Sequence, residues 1–235
     1  MDNKNIASVK KGIIAVIPVL LGYLPVGIAY GLLAKNTGLS LKDTGLFSFI
    51  VYAGASQFMA LDLMTAGVST GSIILAAFLL NLRHLIMSAS ISIKLQDVKR
   101  SYLPIIASGI TDETFSLLSF TTESLNAPFV LTVTLLSYLT WGLSSMLGYL
   151  VGEILPESLQ ASLGIGLYAM FVALLFPNFK RDNKTLKLSI LTAVIYIIIY
   201  KTGIFTGGWD IILGIILSSF IGVIVIKDKG VEMDE

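Results

Sequence analysis

Apolar residues in this chain fall into long runs parted by short polar or turn-forming stretches, at approximately 12–34, 45–66, 69–93, 102–120, 128–151, 158–177, 186–200 and 210–227. Such lengths approach the roughly 20 residues a helix needs to cross the hydrocarbon layer, and glycine, proline and charge mark the ends. The pattern predicts an all-α fold, a polytopic transmembrane helical bundle of about eight spans, some of them broken or proline-kinked. The last two runs are short and parted by Gly203, Gly207 and Gly208, so a hairpin that does not cross fully gives seven as the competing count. Residues 1–11 then form an N-terminal segment, 12–227 the transmembrane domain and 228–235 a tail. The first run is too long for the apolar part of a signal peptide and holds Pro18 and Pro25, so it reads as a retained span, with a cleaved signal as the alternative.

Composition supports lipid as the solvent for most side chains. The 235 residues are 55% hydrophobic and 13% charged, with a mean hydropathy of +0.85, too apolar to cover a water-soluble globule. A net charge of +1 provides no basic footprint for nucleic acid. The absence of cysteine and the single histidine exclude disulfides, thiolate metal sites and His-rich metal sites. The methionines read as apolar packing, so no cofactor is expected.

Orientation follows the bias of lysine and arginine. Lys4, Lys10 and Lys11 at the start, and Lys180, Arg181, Lys184 and Lys187 in the densest loop, predict a cytoplasmic N-terminus. Lys94, Lys99 and Arg100 then fall on the external side against the rule, a conflict that a broken or re-entrant segment upstream would remove. Tyr23, Tyr52, Tyr102, Trp141, Tyr149, Tyr200 and Trp209 lie in or near run ends, where an interfacial belt would use them, with plain packing as the alternative for several. The pairs Gly27 and Gly31, and Gly148 and Gly152, predict close helix approach, within one subunit or against a second chain.

Four places interrupt the apolar runs. At Leu24-Pro25-Val26-Gly27 proline frees backbone carbonyls at membrane depth, the kind of unwound segment that lines transporter sites, or else a plain kink. At Ala53-Gly54-Ala55-Ser56-Gln57 a carboxamide follows small residues; Gln57 is interhelical glue or a ligand-holding group. Asp62, further along, reads as interfacial. At Asn81-Leu82-Arg83-His84 an arginine near mid-run costs about 2.5–3.5 kcal/mol and calls for an anionic partner, unless it sits at the interface. Asn81 and His84, three residues apart, share a helix face that Arg83 does not. At Thr111-Asp112-Glu113 two carboxylates cost about 5–7 kcal/mol together, which calls for protonation, a basic partner such as Arg83, or a wet cavity. Adjacent carboxylates repel, so one is expected to hold a proton, the condition a proton-carrying site needs.

Taken together, Gly22-Tyr23-Leu24-Pro25-Val26-Gly27-Ile28-Ala29-Tyr30-Gly31, Tyr52-Ala53-Gly54-Ala55-Ser56-Gln57-Phe58, Asn81-Leu82-Arg83-His84-Leu85-Ile86-Met87-Ser88-Ala89-Ser90 and Thr111-Asp112-Glu113-Thr114-Phe115 resemble, in order and spacing, the AzlC family. These are the large, BrnF-type subunits of bacterial branched-chain amino-acid exporters. The resemblance implies proton-driven efflux of leucine, isoleucine and valine, sometimes methionine or toxic analogues, across the bacterial cytoplasmic (inner) membrane, with a small AzlD-type membrane partner. One departure is Tyr168 after Gly166-Leu167, where the family often carries an acid, which puts a coupling role for that position in doubt.

The expected mechanism is a secondary exporter. Pro25, Gly27, Gly54, Ser56, Gln57 and Asn81 line its mid-membrane cavity, and Arg83, His84, Asp112 and Glu113 form a charge and proton network. The alternatives are a membrane-embedded enzyme using His84, Asp112 and Glu113 for acid–base work, or a channel or accessory subunit of another transporter. The enzyme reading lacks a metal-ligand set and a Gly-x-Ser-x-Gly elbow.

Overall fold

The computed structural model describes residues 3–96, 98–121, 125–154, 156, 158, 183–203, 213–214, 216–218 and 220–222. The expected sixth span, the glycine-rich 204–212 stretch, Trp209, Tyr168 and the tail lie outside the described residues. The described residues are helical, without strands: α1 (Asn3–Asn36), α2 (Leu41–Leu46) running into a π-helical turn (Phe47–Val51), α3 (Gly54–Thr65), α4 (Thr70–Ser92), α5 (Leu103–Ser108), α6 (Asp112–Phe120), α7 (Ala127–Val151) and α8 (Asn183–Thr202). Among them α1, α4 and α7 are long and apolar enough to cross a membrane.

Two compact units share the chain: residues 1–62 with 81–170, and residues 63–80 with 171–235. Within the second, Tyr196 and Tyr200 of α8 stack at 6.1 Å, and Leu188 and Tyr196 meet the small residues Gly222 and Gly214. Every sequence-derived site residue belongs to the first unit.

That unit is built on α1 and α7. Small residues let the two backbones touch: a side chain on Gly27 would collide with Ser144, one on Gly31 with the Ser145 carbonyl, one on Gly148 with the Ile28 backbone, and one on Gly152 with Leu32. The small-xxx-small pairs therefore serve packing within one subunit. Gly12 meets Thr132 at the start of both helices, so α1 and α7 run parallel. Asn126 caps α7, accepting from the Phe129 N–H at 3.1 Å, and Pro128 occupies its first turn, where no N–H partner is lost.

Of the two readings of Leu24-Pro25-Val26-Gly27, an unwound segment or a plain kink, the unwound one does not occur. Helix α1 is continuous through Pro18 and Pro25, because Gly27 and Gly31 hold that stretch against α7 while the prolines cost it only local hydrogen bonds. The breaks lie elsewhere. In the 45–66 run the π-turn ends at Tyr52, a non-glycine residue in the left-handed region at φ 44° and ψ 48°, before α3 begins. In the 102–120 run Gly109, Ile110 and Thr111 separate α5 from α6.

Both breaks stop at the middle of α1 and α7. Gly45 faces Met146 and Phe49 faces Gly142, so α2 and its π-turn descend along α7. Helix α3 then sets out beside them, Gln57 opposite Ser48 and Phe58 against Tyr30 at 5.5 Å. The second pair comes from the other end. Val98, Lys99 and Tyr102 share a cleft with Asn5 and Val9 of α1, Thr111 reaches Tyr23, and Thr121 is back beside Lys4 and Ser8. The 98–121 stretch thus enters and leaves at one end, as a re-entrant hairpin. An apolar cluster holding Val16, Ile91, Ile106, Leu118 and Val130 fills the space beneath it.

This geometry puts Lys94, Lys99 and Arg100 at the same end as Lys4, Lys10 and Lys11, and the conflict with the charge rule disappears. The cysteine-free chain allows a direct check: Lys10→Cys and Lys99→Cys are expected to react with an impermeant maleimide from the same side of oriented vesicles. For the scaffold, Gly31→Val is expected to destabilise by roughly 2 kcal/mol or more. Gly22→Ala, where nothing lies within 4 Å of an added Cβ, should leave the melting temperature of the detergent-solubilised protein unchanged.

Candidate functional site

The first break is closed by one carboxamide. Gln57 Oε1 accepts from the Ala53 N–H at 3.2 Å and from Trp141 Nε1–H at 2.9 Å, and its Nε2 donates to Ser48 Oγ at 3.3 Å. Two obligate donors on Oε1 fix which way the amide points. Gln57 is fully buried, and its polar atoms are engaged by α3's first turn, the π-turn and α7, so it acts as glue and as the cap of the break. Gly54 is small because the Trp141 ring leaves only 2.9 Å to an added Cβ.

Ser56 donates to the Ala53 carbonyl at 3.0 Å, so its oxygen accepts from Asn81 Nδ2 at 3.0 Å. This ties α4 to the break and leaves Asn81 Oδ1, a buried acceptor, without a partner. His84, one turn on, shares a hydrogen bond between Nδ1 and the Asn81 carbonyl at 3.2 Å. As their spacing predicts, Asn81 and His84 face one way and Arg83 another.

The second break starts α6 with a capping box. Thr111 Oγ1 accepts from the Thr114 N–H and Thr114 Oγ1 from the Thr111 N–H at 2.8 Å. Asp112 and Glu113 therefore sit in a helix's first turn, where the unpaired N–H groups and helix dipole favour negative charge. Their cost is smaller than a mid-helix position would impose. Tyr23 donates to Glu113 Oε2 at 2.7 Å and touches Thr111 Oγ1 at 2.6 Å. Arg83 pairs with Asp112 at 2.9 Å, both side chains about 30% exposed.

The breaks are linked through aromatic rings: Tyr23 lies edge-on to Trp141 at 5.3 Å, and Trp141 holds Gln57. Between the breaks, α4 and α7 lies a cavity of about 640 Å³. Its walls are mainly apolar, with Phe49, Ile50, Ile105, Leu131 and Leu135, and its polar points include Tyr52, Asn81, His84 and Thr134. Of the expected lining set only Asn81 is in these walls. Gly27 packs against Ser144 of α7 and Pro25 is exposed on α1, while Gly54, Ser56 and Gln57 brace the break behind it. His84 joins the walls, while Arg83, Asp112 and Glu113 do not.

Of the aromatic residues at run ends, three follow the packing alternative and not the belt. Tyr23, Tyr52 and Trp141 are buried at 3%, 6% and 2% exposure, in the centre of the unit, whereas Tyr102 and Tyr200 are exposed. The signal for Tyr23 was its place four residues before Gly27, on the face that meets α7. No group of three or more His, Cys, Asp or Glu able to hold a metal occurs among the described residues.

The charge pair yields a prediction. Arg83→Gln alone, which strands Asp112, is expected to cost on the order of 2 kcal/mol, and the double change Arg83→Gln with Asp112→Asn less. Thermal unfolding of the purified variants measures the difference.

A model of the family described as AzlC protein matches residues 18–155. An uncharacterized membrane protein of Archaeoglobus fulgidus is 33% identical over 176 residues, covering 74% of this chain and 77% of its own. One of Helicobacter pylori is 30% identical over 194 residues, covering 80% and 84%. The inner membrane protein YgaZ of Escherichia coli is 26% identical over 185 residues, covering 75% and 76%. No solved structure matches.

Proposed function

This multi-pass membrane protein belongs to the AzlC family, which is associated with membrane transport, and on that premise we propose that it is a secondary exporter of branched-chain and similar hydrophobic amino acids. It works in the bacterial cytoplasmic membrane with its N-terminus inside, coupled to the proton gradient, and with a small AzlD-type subunit. Residues 12–227 make up its transport domain.

One observation carries the reading: two helix breaks, approached from opposite ends, meet beside a mainly apolar cavity with a few polar points. Broken helices at mid-depth are where secondary transporters hold substrate, and apolar walls with few polar groups suit a small molecule with a hydrocarbon side chain. Phe49, Ile50, Leu131 and Leu135 receive that side chain. Asn81 and His84, polar points of the wall, stand nearest the substrate's amino-acid group. Ser56, Gln57 and Gly54 keep Asn81 and the break in place, and Gly27 acts through its contact with α7.

Glu113, held by Tyr23 at the second break, carries the proton. The Arg83–Asp112 pair holds α4 to α6, so a change in Glu113's charge is felt at the helix that bears Asn81. Proton and substrate thereby bias the same two breaks.

Efflux from leucine-loaded vesicles under an imposed proton gradient tests this. Glu113→Gln is expected to cut gradient-driven efflux at least tenfold while leaving leucine exchange between the two sides; Asp112→Asn is expected to cut both. Wild-type efflux from Glu113→Gln would remove that acid from coupling.

A further inference from the structure

His84 is held by one ring nitrogen and open at the other. Its Nδ1 lies 3.2 Å from the Asn81 carbonyl, one turn back on α4. A carbonyl can only accept, so Nδ1 carries the hydrogen, and in a neutral imidazole Nε2 is then a bare lone pair. Nε2 lies across the ring from that tether and so points away from the backbone of its own helix. Among the described residues it has no hydrogen-bond partner, and it is not one of the sealed polar atoms. His84 stands in the wall of the cavity.

The rest of that wall offers no comparable acceptor. The Tyr52 hydroxyl and Asn81 Oδ1 are sealed within the protein. Hydroxyls at Tyr138, Thr134 and Ser108 donate to the Phe49, Val130 and Ile105 carbonyls at 2.7, 3.0 and 2.8 Å, and a neutral hydroxyl oxygen is far less basic than imidazole. Among the described residues no Asp, Glu, Lys or Arg lines the cavity. Arg83 of α4 and Asp112 of α6 lie within electrostatic reach of His84, but they are paired with each other at 2.9 Å. The first break and α7 supply Tyr52 and Tyr138 as the titratable groups of the other walls, and phenols are uncharged near neutral pH.

Resting on the exporter reading, we propose that His84 Nε2 is the receptor for the substrate's ammonium group, and that this one lone pair takes either the ammonium or a proton, never both. Neutral His84 accepts an N–H of the ammonium. Once protonated, Nε2 becomes a donor and the ring's positive charge repels the substrate's cation. The side of the membrane richer in protons thereby discharges the substrate at the cavity itself, separately from the proton that Glu113 carries at the second break.

Calorimetry on the purified full chain, with a tag free of histidine, reads leucine affinity at about pH 8 and about pH 5, a span that crosses the usual histidine range. The unsubstituted protein is expected to lose about tenfold or more at the lower pH, and His84→Gln, which keeps an acceptor but cannot titrate, less than about twofold. A fall that His84→Gln retains overturns the assignment and hands the pH dependence to the acids of α6. If His84→Gln does not fold, the unsubstituted protein still decides. His84 is the single histidine of the chain, so acylation of the neutral imidazole by diethyl pyrocarbonate gives one ultraviolet signal. Saturating leucine is expected to slow that signal several-fold, and a rate that leucine leaves unchanged overturns the assignment. Leucine bound equally at both pH values overturns the assignment alone, whereas leucine bound at neither overturns the exporter reading with it.

Discussion

In hydrocarbon a backbone N–H or C=O has no water to turn to, and that constraint governs where this chain leaves the helix. Among the described residues it does so twice midway along α1 and α7, and each departure is met by side chains of the same unit. Gln57 holds the Ala53 N–H at the first break, and the Thr111 and Thr114 hydroxyls close the second. The arrangement stands because α1 and α7 form a fixed wall behind it. Gly27, Gly31, Gly148 and Gly152 bring the two backbones into contact, which lets Tyr23 and Trp141 reach both breaks from a pair of helices that cannot slide without clashing.

From this wall the functional logic follows. Short helix pairs on either side of a rigid core differ in what they contribute. The α2–α3 pair supplies the cavity with its aromatic wall and with Tyr52, and the α5–α6 pair supplies carboxylates at a helix start. Arg83 and Asn81, two residues apart on α4, connect the two: the guanidinium binds the acid of one pair and the carboxamide binds the serine of the other. In the proposed exporter this single helix is what links a proton at one break to the other.

Much of this was legible in the sequence, and the failures are instructive. The membrane class, the close-packing glycines and the need of Arg83 for an anionic partner all follow from composition and cost. At Pro25 the sequence left an unwound segment and a plain kink both open, because proline signals either, and only packing against α7 keeps that helix whole. The first break carries no proline, and its left-handed residue is a tyrosine, which no local rule would choose. The second was readable: Thr111 and Thr114, with Asp112 and Glu113 between them, have the pattern of a helix start, yet long hydrophobicity hid it inside an apparent span. For Tyr23, Tyr52 and Trp141 the sequence left belt and packing both open, because a tyrosine near a run end looks the same whether it anchors to headgroups or to a buried acid.

The account depends on a substrate occupying the cavity beside Asn81. Since the chain has no cysteine, Asn81→Cys gives one reporter thiol in that wall, and its modification by a small thiol reagent can be timed with and without leucine. The account predicts a thiol that reacts and that saturating leucine protects while alanine-sized polar solutes do not. A thiol that reacts at the same rate whatever is added would contradict it.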